Sequence, residues 1–187
     1  MRSRAMNIDA STLRSALDGL SLPGTGKFQT AKALVSLSET APEAIDPFFD
    51  VFAGLLDDGN NIIKWTAFQI IANLAAVDRQ GRIDAIIDRY LAPIAGPVMI
   101  TAGHAIQGSA RIAATHKHLT DRIVRAILGT ERARYKTDEC RNIALGHALK
   151  ALGATSDEVR RSPEVTAFGT GRSKTPDPQP ARKPNTS

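Results

Sequence analysis

The dipeptide Thr-Ala recurs in phase along this chain. Thr30-Ala31, Thr66-Ala67 and Thr101-Ala102 lie 36 and 35 residues apart, each inside an apolar segment of helical periodicity. A fourth such segment, around Ile143-Ala144, follows 42 residues later. Self-similarity at a period of roughly 20–50 residues marks stacked supersecondary units, each too small to bury its own apolar face and each covered by its neighbours. An ordinary single-core sandwich or barrel gives no such phase.

The punctuation between the apolar segments predicts eight helices in four antiparallel pairs. These are 8–20 with 26–39, 42–56 with 61–76, 82–94 with 98–115, and 119–129 with 137–152. Pro42 suits a first helical turn, where a missing N–H costs little. The run Asp57-Asp58-Gly59-Asn60-Asn61 reads as a stop, a turn and an N-cap. Thr137 suits an N-cap, with Asp138 and Glu139 at the positive end of the helix dipole. In the second helix of each pair one stripe repeats: Lys27, Ala31, Leu34, Val35, Ser38; Ile63, Ala67, Ile70, Ile71, Leu74; Val98, Ala102, Ala105, Ile106, Ser109; Cys140, Ala144, His147, Ala148, Ala151. Such a stripe predicts close helix contacts at the alanines.

Aromatic residues make up only 5% of the chain, a poor fit to a β-sandwich and a good one to helix-on-helix packing. One cysteine, Cys140, permits no intramolecular disulfide, as in a reducing compartment. The N-terminus carries Arg2 and Arg4 with no apolar run behind them, so no secretory signal is expected. No stretch is apolar enough to span a bilayer. These features predict a cytoplasmic protein with no membrane contact. The net charge of +5 comes from the ends, because residues 7–168 carry 18 basic and 18 acidic side chains. That body is polarised, with a net −4 over 7–100 and +4 over 101–168. The expected organisation is a short flexible N-terminus at 1–7, a helical repeat domain at 8–153, and a Pro-rich basic disordered tail at 154–187. The tail lacks apolar periodicity from 169 onward.

At DDGNNIIKWTAFQIIANLA, residues 57–75, the chain resembles the HEAT repeat of the armadillo-like α-solenoid superfamily. Asp58 matches the family's turn aspartate. Ile63-Lys64 matches its Val-Arg pair, and Ala67, Ile71 and Leu74 match its apolar positions. Cys140-Arg141 with Ala144 is a weaker match. Val98-Met99 loses the basic residue, and Pro93 stands where the turn aspartate would be. The resemblance implies an all-α fold, a right-handed α-solenoid of about four HEAT-like antiparallel helix pairs with second helices lining a concave face. It further implies that Asp58 and Lys64 take part in a structural ladder between neighbouring pairs.

No catalytic motif survives inspection. Gly24-Thr25-Gly26-Lys27 resembles a phosphate loop but has Ser21 where the leading glycine belongs and Phe28 where Ser or Thr is needed. An interhelical turn explains it. His116-Lys117-His118 sets two histidines at i, i+2, which diverge on a helix, with no flanking thiol or carboxylate, so an exposed connector is expected. Cys140 falls at an inward phase. His147 falls on the packed stripe and His104 on the open one. Neither a catalytic residue, a cofactor, a metal nor a small-molecule substrate is expected.

The open face carries the functional expectation. Trp65, the only tryptophan, lies opposite the Ile63, Ala67, Ile70, Leu74 stripe, with Ile100 at the equivalent phase one unit later. Trp65, Phe68, Gln69 and Asn73 on one helix, with His104, Gln107 and Arg111 on the next, form a mixed aromatic and polar strip of the kind that anchors a protein partner. The leading expectation is therefore a non-enzymatic scaffold that binds a protein. The alternative is a nucleic-acid binder using the basic region 111–136, which carries a net +5, together with the tail.

Overall fold

The structure is a computed structural model and describes residues 10–20, 24 and 26–171. All regular structure among these residues is helical, with no strand. The helices are α1 (Ala10–Leu20), α2 (Gly26–Thr40), α3 (Pro42–Ile45), α4 (Phe49–Leu55), α5 (Asn61–Leu74), α6 (Arg82–Leu91), α7 (Met99–Thr115), α8 (Thr120–Leu128), α9 (Asp138–Gly153), α10 (Asp157–Arg160) and α11 (Pro163–Gly169).

The capping chemistry read from the sequence sets the boundaries. Asn60 accepts from the Ile62 and Ile63 backbone N–H groups and starts α5, and Thr137 accepts from Cys140 N–H and starts α9. Prolines account for the departures. Pro47 divides the expected helix 42–56 into α3 and α4 around a 3-10 turn at Asp46–Phe48. Pro93 ends α6 as an α-helix and turns Ala92–Ala95 into 3-10. In both places a ring with no N–H cannot continue the i to i−4 ladder.

The second helices pack in succession, α2 on α5, α5 on α7 and α7 on α9, and each is backed by its own first helix (α1, α4, α6 and α8). The alanines of the phased stripe lie at these contacts: Ala31 is 2% exposed, and Ala67, Ala102 and Ala144 are fully buried. Between them sits an aromatic centre of Phe49, Phe52, Phe68 and Tyr90. Tyr90 Oη donates to the Phe68 carbonyl at 2.8 Å, which satisfies the hydroxyl inside the core. Beneath it, α7 approaches α5 and α6 at Gly108. A Cβ there would meet Tyr90 Oη and stand 3.0 Å from Ala72 Cβ.

The repeat period reappears in the polar contacts. Trp65 with Thr101, Arg82 with Asp46 and Arg89 with the Ala53 carbonyl are each 36 residues apart. Asp57–Arg89 and Asp88–Arg122 add ion pairs across the first helices, and Asp84–His118 a hydrogen bond. The ladder expected from Asp58 and Lys64 is not among them. Asp58 instead accepts from the Asn60 backbone N–H at 2.6 Å within its own turn.

Asp78, in the connector before α6, is the buried node of this network. Its carboxylate is closed to solvent. It accepts from Ile83 N–H at 2.9 Å and from Arg82 Nε at 3.2 Å, and it lies 3.8 Å from His116 Nε2. Burial raises its pKa, but the Ile83 and Arg82 N–H donors and the Arg82 charge outweigh burial and hold it below 3.8. His116 is accordingly not an exposed connector residue. It is 9% exposed, and only His118, hydrogen-bonded to Asp84, reaches solvent.

The helical body also runs past Gly153, where the expected repeat domain ends. Ser156 and Ser162 cap α10 and α11, and Val165 and Phe168 are buried with the core. Two apolar residues three apart on a short Ser-capped helix were too weak a period to register against the Pro-rich segment behind them. Expected segment 1–7 and the tail from 172 onward lie outside the described residues.

Two outcomes test this packing. Phe168→Ala is expected to destabilise the fold by about 3 kcal/mol, the cost of emptying a buried aromatic site, read by urea denaturation. A change below about 0.5 kcal/mol would place α11 outside the core. Asp78→Ala is expected to cost about 2–4 kcal/mol, since it strips Arg82 and the Ile83 N–H of a buried acceptor. Because the folded pKa lies below the unfolded one, the stability that Asp78 supplies is present above 3.8 and lost as pH falls through the folded value. An unchanged acid limb in the Asp78→Ala protein would contradict this.

Candidate functional site

The Asn60 cap fixes the phase of α5 and with it one half-buried stripe, since residues four apart stack on a helix. Trp65, Gln69 and Asn73 follow at that spacing. On α7, Ile100, His104, Gln107 and Arg111 form the matching stripe, with Ile100 47% exposed at its N-terminal end. Trp65, Gln69, Asn73, His104, Gln107 and Arg111 therefore come together on the same side of the α5–α7 contact, whereas Phe68, expected beside Trp65, points into the core and packs on Tyr90.

They also bond to one another and to the flanking helices. The Trp65 indole N–H donates to Thr101 Oγ1 at 2.9 Å, and its ring stacks on His104 with centroids 5.6 Å apart and planes 19° off parallel. Gln69 Nε2 lies 3.4 Å from the Trp65 carbonyl. Asn73 donates to Ser38 Oγ on α2 at 2.8 Å and accepts from Arg111. Gln107 Nε2 lies 3.2 Å from His147 Nδ1 on α9. One strip thus crosses α2, α5, α7 and α9, running from Ser38 through Asn73 and Arg111 on one flank to Gln107 and His147 on the other.

Trp65 is half-buried, and its N–H is already committed to Thr101. It belongs to the α5–α7 contact as well as to the surface. His147 departs from expectation. Its packed-stripe position is partly open, and its ring reaches Gln107 against Gly103, where a Cβ would stand 3.2 Å from the imidazole. Val98, assigned to the inward stripe, is 42% exposed because it precedes α7 and escapes the helical phase.

Two recesses open on the strip. One, of about 110 Å³, is lined by Glu39, Gln69, Ala72, His104, Gln107, Gly108 and Arg111. The other, of about 520 Å³, shares Glu39, Ala72 and Arg111 and adds Ser38, Pro42, Asn73, Ala76 and Thr115. Glu39 lines both recesses and was not revealed by the sequence, because no motif in α2 registers it against α5. Gly108 was legible in principle. A glycine inside a helix costs about 1 kcal/mol relative to alanine, and so marks a close approach.

The basic region does not form one surface. Arg111 bonds Asn73 in the strip, while Arg122 pairs with Asp88 on α6. Lys117 and Arg125 line a separate recess of about 620 Å³ between α8 and α10–α11, together with Asp121, Glu158 and Glu164. Among the described residues no group of three or more His, Cys, Asp or Glu side chains is arranged to hold a metal ion, and no helix is long and apolar enough to cross a membrane. Cys140 is a partly buried free thiol.

Burial, and then the charge of His147, hold the His104 imidazole below its usual 6.5. The sign of the linkage follows. As pH falls through 6.5 the unfolded chain takes up this proton before the folded one, so stability declines until the folded pKa is passed. His104→Asn is expected to flatten the loss of melting temperature between pH 7 and pH 5. Equal slopes in the two proteins would show that His104 titrates freely.

No protein-family model, curated protein or solved structure matches the chain.

Proposed function

We propose that the chain is a HEAT-like α-solenoid of four helix pairs, extended by α10 and α11, that acts as a non-enzymatic protein-binding module. The partner lies along α5 and α7 and touches Trp65, Gln69, Asn73, His104, Gln107 and Arg111. The observation that carries this reading is the continuity of that strip across four helices. Its aromatic stack, amides and guanidinium share one face with an apolar end at Ile100. Partially buried aromatics ringed by adaptable hydrogen-bonding groups are what protein interfaces concentrate.

The phased Thr-Ala units and the succession α2, α5, α7, α9 support the solenoid assignment. Nucleic-acid binding is the weaker reading, because the basic residues of 111–136 are divided between separate surfaces and several face carboxylates. Polyanion recognition needs an uninterrupted positive footprint.

Affinity purification of the full chain after nuclease treatment tests the proposal. Ile100→Glu, at an exposed position, is expected to leave the melting temperature within about 2 °C while reducing recovery of the bound protein at least tenfold, as a charge placed in an apolar anchor does. Recovery that disappears with nuclease, or that is indifferent to Ile100→Glu, would overturn it.

A further inference from the structure

We infer that the recess between α2, α5 and α7 is a two-charge subsite. It takes a peptide segment of the partner in which a cationic and an anionic side chain are neighbours, the cation on Glu39 and the anion on Arg111. This rests on the protein-binding reading and names what that face selects.

Glu39 and Arg111 both line the 110 Å³ and the 520 Å³ recesses, so each recess is bordered by both charges. No ion pair joins them, although the two charges are opposite and share a cavity. Arg111 spends one guanidinium nitrogen on Asn73 Oδ1. A guanidinium has five N–H donors, which leaves most of the fork for an incoming carboxylate. Glu39 has no hydrogen-bond or ion-pair partner among the described residues. It also stands in the last turn of α2, where the helix dipole is negative, so its charge is placed against the interest of its own helix. A carboxylate there strengthens the negative potential that a ligand cation would meet.

The floor between the two charges is small and fixed. Ala72 and Gly108 form it, and Tyr90 Oη packs directly beneath Gly108. The flanking side-chain amides of Gln69 and Gln107 carry both donors and acceptors, a pairing suited to peptide groups. A ligand of one sign is discriminated against on either side: an acidic segment meets Glu39 and a basic one meets Arg111. A segment carrying both signs in order satisfies both walls. The larger recess has room for several side chains, which favours a peptide over a single free amino acid.

The test is an NMR titration of the full ¹⁵N-labelled chain with three blocked peptides: acetyl-Gly-Lys-Glu-Gly-amide, its Lys-Lys form and its Glu-Glu form. The mixed peptide is expected to move the Gln69 and Gln107 side-chain amide signals, with affinity at least fivefold above the other two. Glu39→Gln should abolish the preference over the Glu-Glu peptide, and Arg111→Gln the preference over the Lys-Lys peptide. Both positions are exposed, and unchanged backbone spectra would show that the variants fold. Equal shifts from all three peptides, no shift from any, or the same shifts from free glycine would overturn the subsite. The loss of partner in Ile100→Glu is a separate readout. If that loss occurs and no peptide binds, the face stands and the two-charge subsite falls.

Discussion

The distance between α5 and α7 governs the rest of the molecule. At Gly108 the backbone of α7 comes close enough that no side chain fits between it, Ala72 and the hydroxyl of Tyr90. That hydroxyl cannot retreat, because it is buried and bonded to the Phe68 carbonyl. The Trp65–Thr101 hydrogen bond, the Trp65–His104 stack and the Asn73–Arg111 bond all span this same helix pair. Enlarging residue 108 would push the helices apart and disturb all three, so core packing and surface chemistry share one constraint. Close-packed interiors transmit small changes in volume in this way.

The polar contacts between successive first helices have a different role. Asp57–Arg89 and Asp88–Arg122 are exposed at both partners, and pairs of that kind contribute little net stability, since solvent screens them and two side chains must be ordered. Their worth lies in register. Alanine and isoleucine stripes would tolerate a sliding of one helix pair along the next, whereas charges paired at 32 to 36 residues do not. Asp78 stands apart. Removed from water and held by backbone and guanidinium donors, it ties the connector before α6 to Arg82, and Arg82 reaches back to Asp46 while lying 4.6 Å over the Phe49 ring. Here an ion pair, a cation–π contact and a helix start are the same few atoms.

Helix positions were legible in the sequence because they depend on local chemistry. The Asn60 and Thr137 caps and the phased alanines act over a few residues, and each appears where its residue type predicts, whereas Pro47 and Pro93 cut two expected helices short. What eluded the sequence depends on partners distant in the chain. His116 looked exposed because its carboxylate, Asp78, is 38 residues earlier and comes near only after folding. Wheel phase put His147 inside and Trp65 outside, and each lies between, since a helix buried on two sides has no sharp inner and outer half. The six strip residues could be grouped by spacing alone. Glu39 could not, because nothing in α2 fixes its rotation against α5.

The polar pairs across the first helices all point one way. In Asp46–Arg82, Asp57–Arg89, Asp84–His118 and Asp88–Arg122 the acid belongs to the earlier helix pair and the basic group to the later one. The helix α6 carries both, its arginines turned back and its aspartates turned forward. The molecule therefore has a grammar as well as a period. A copy of the unit 82–115 inserted after itself would meet an aspartate edge with an arginine edge and fit. The same unit reversed would set its aspartates against Asp46 and Asp57, like charge against like. Growth by tandem duplication in frame is compatible with this edge chemistry, whereas inversion of a unit is not.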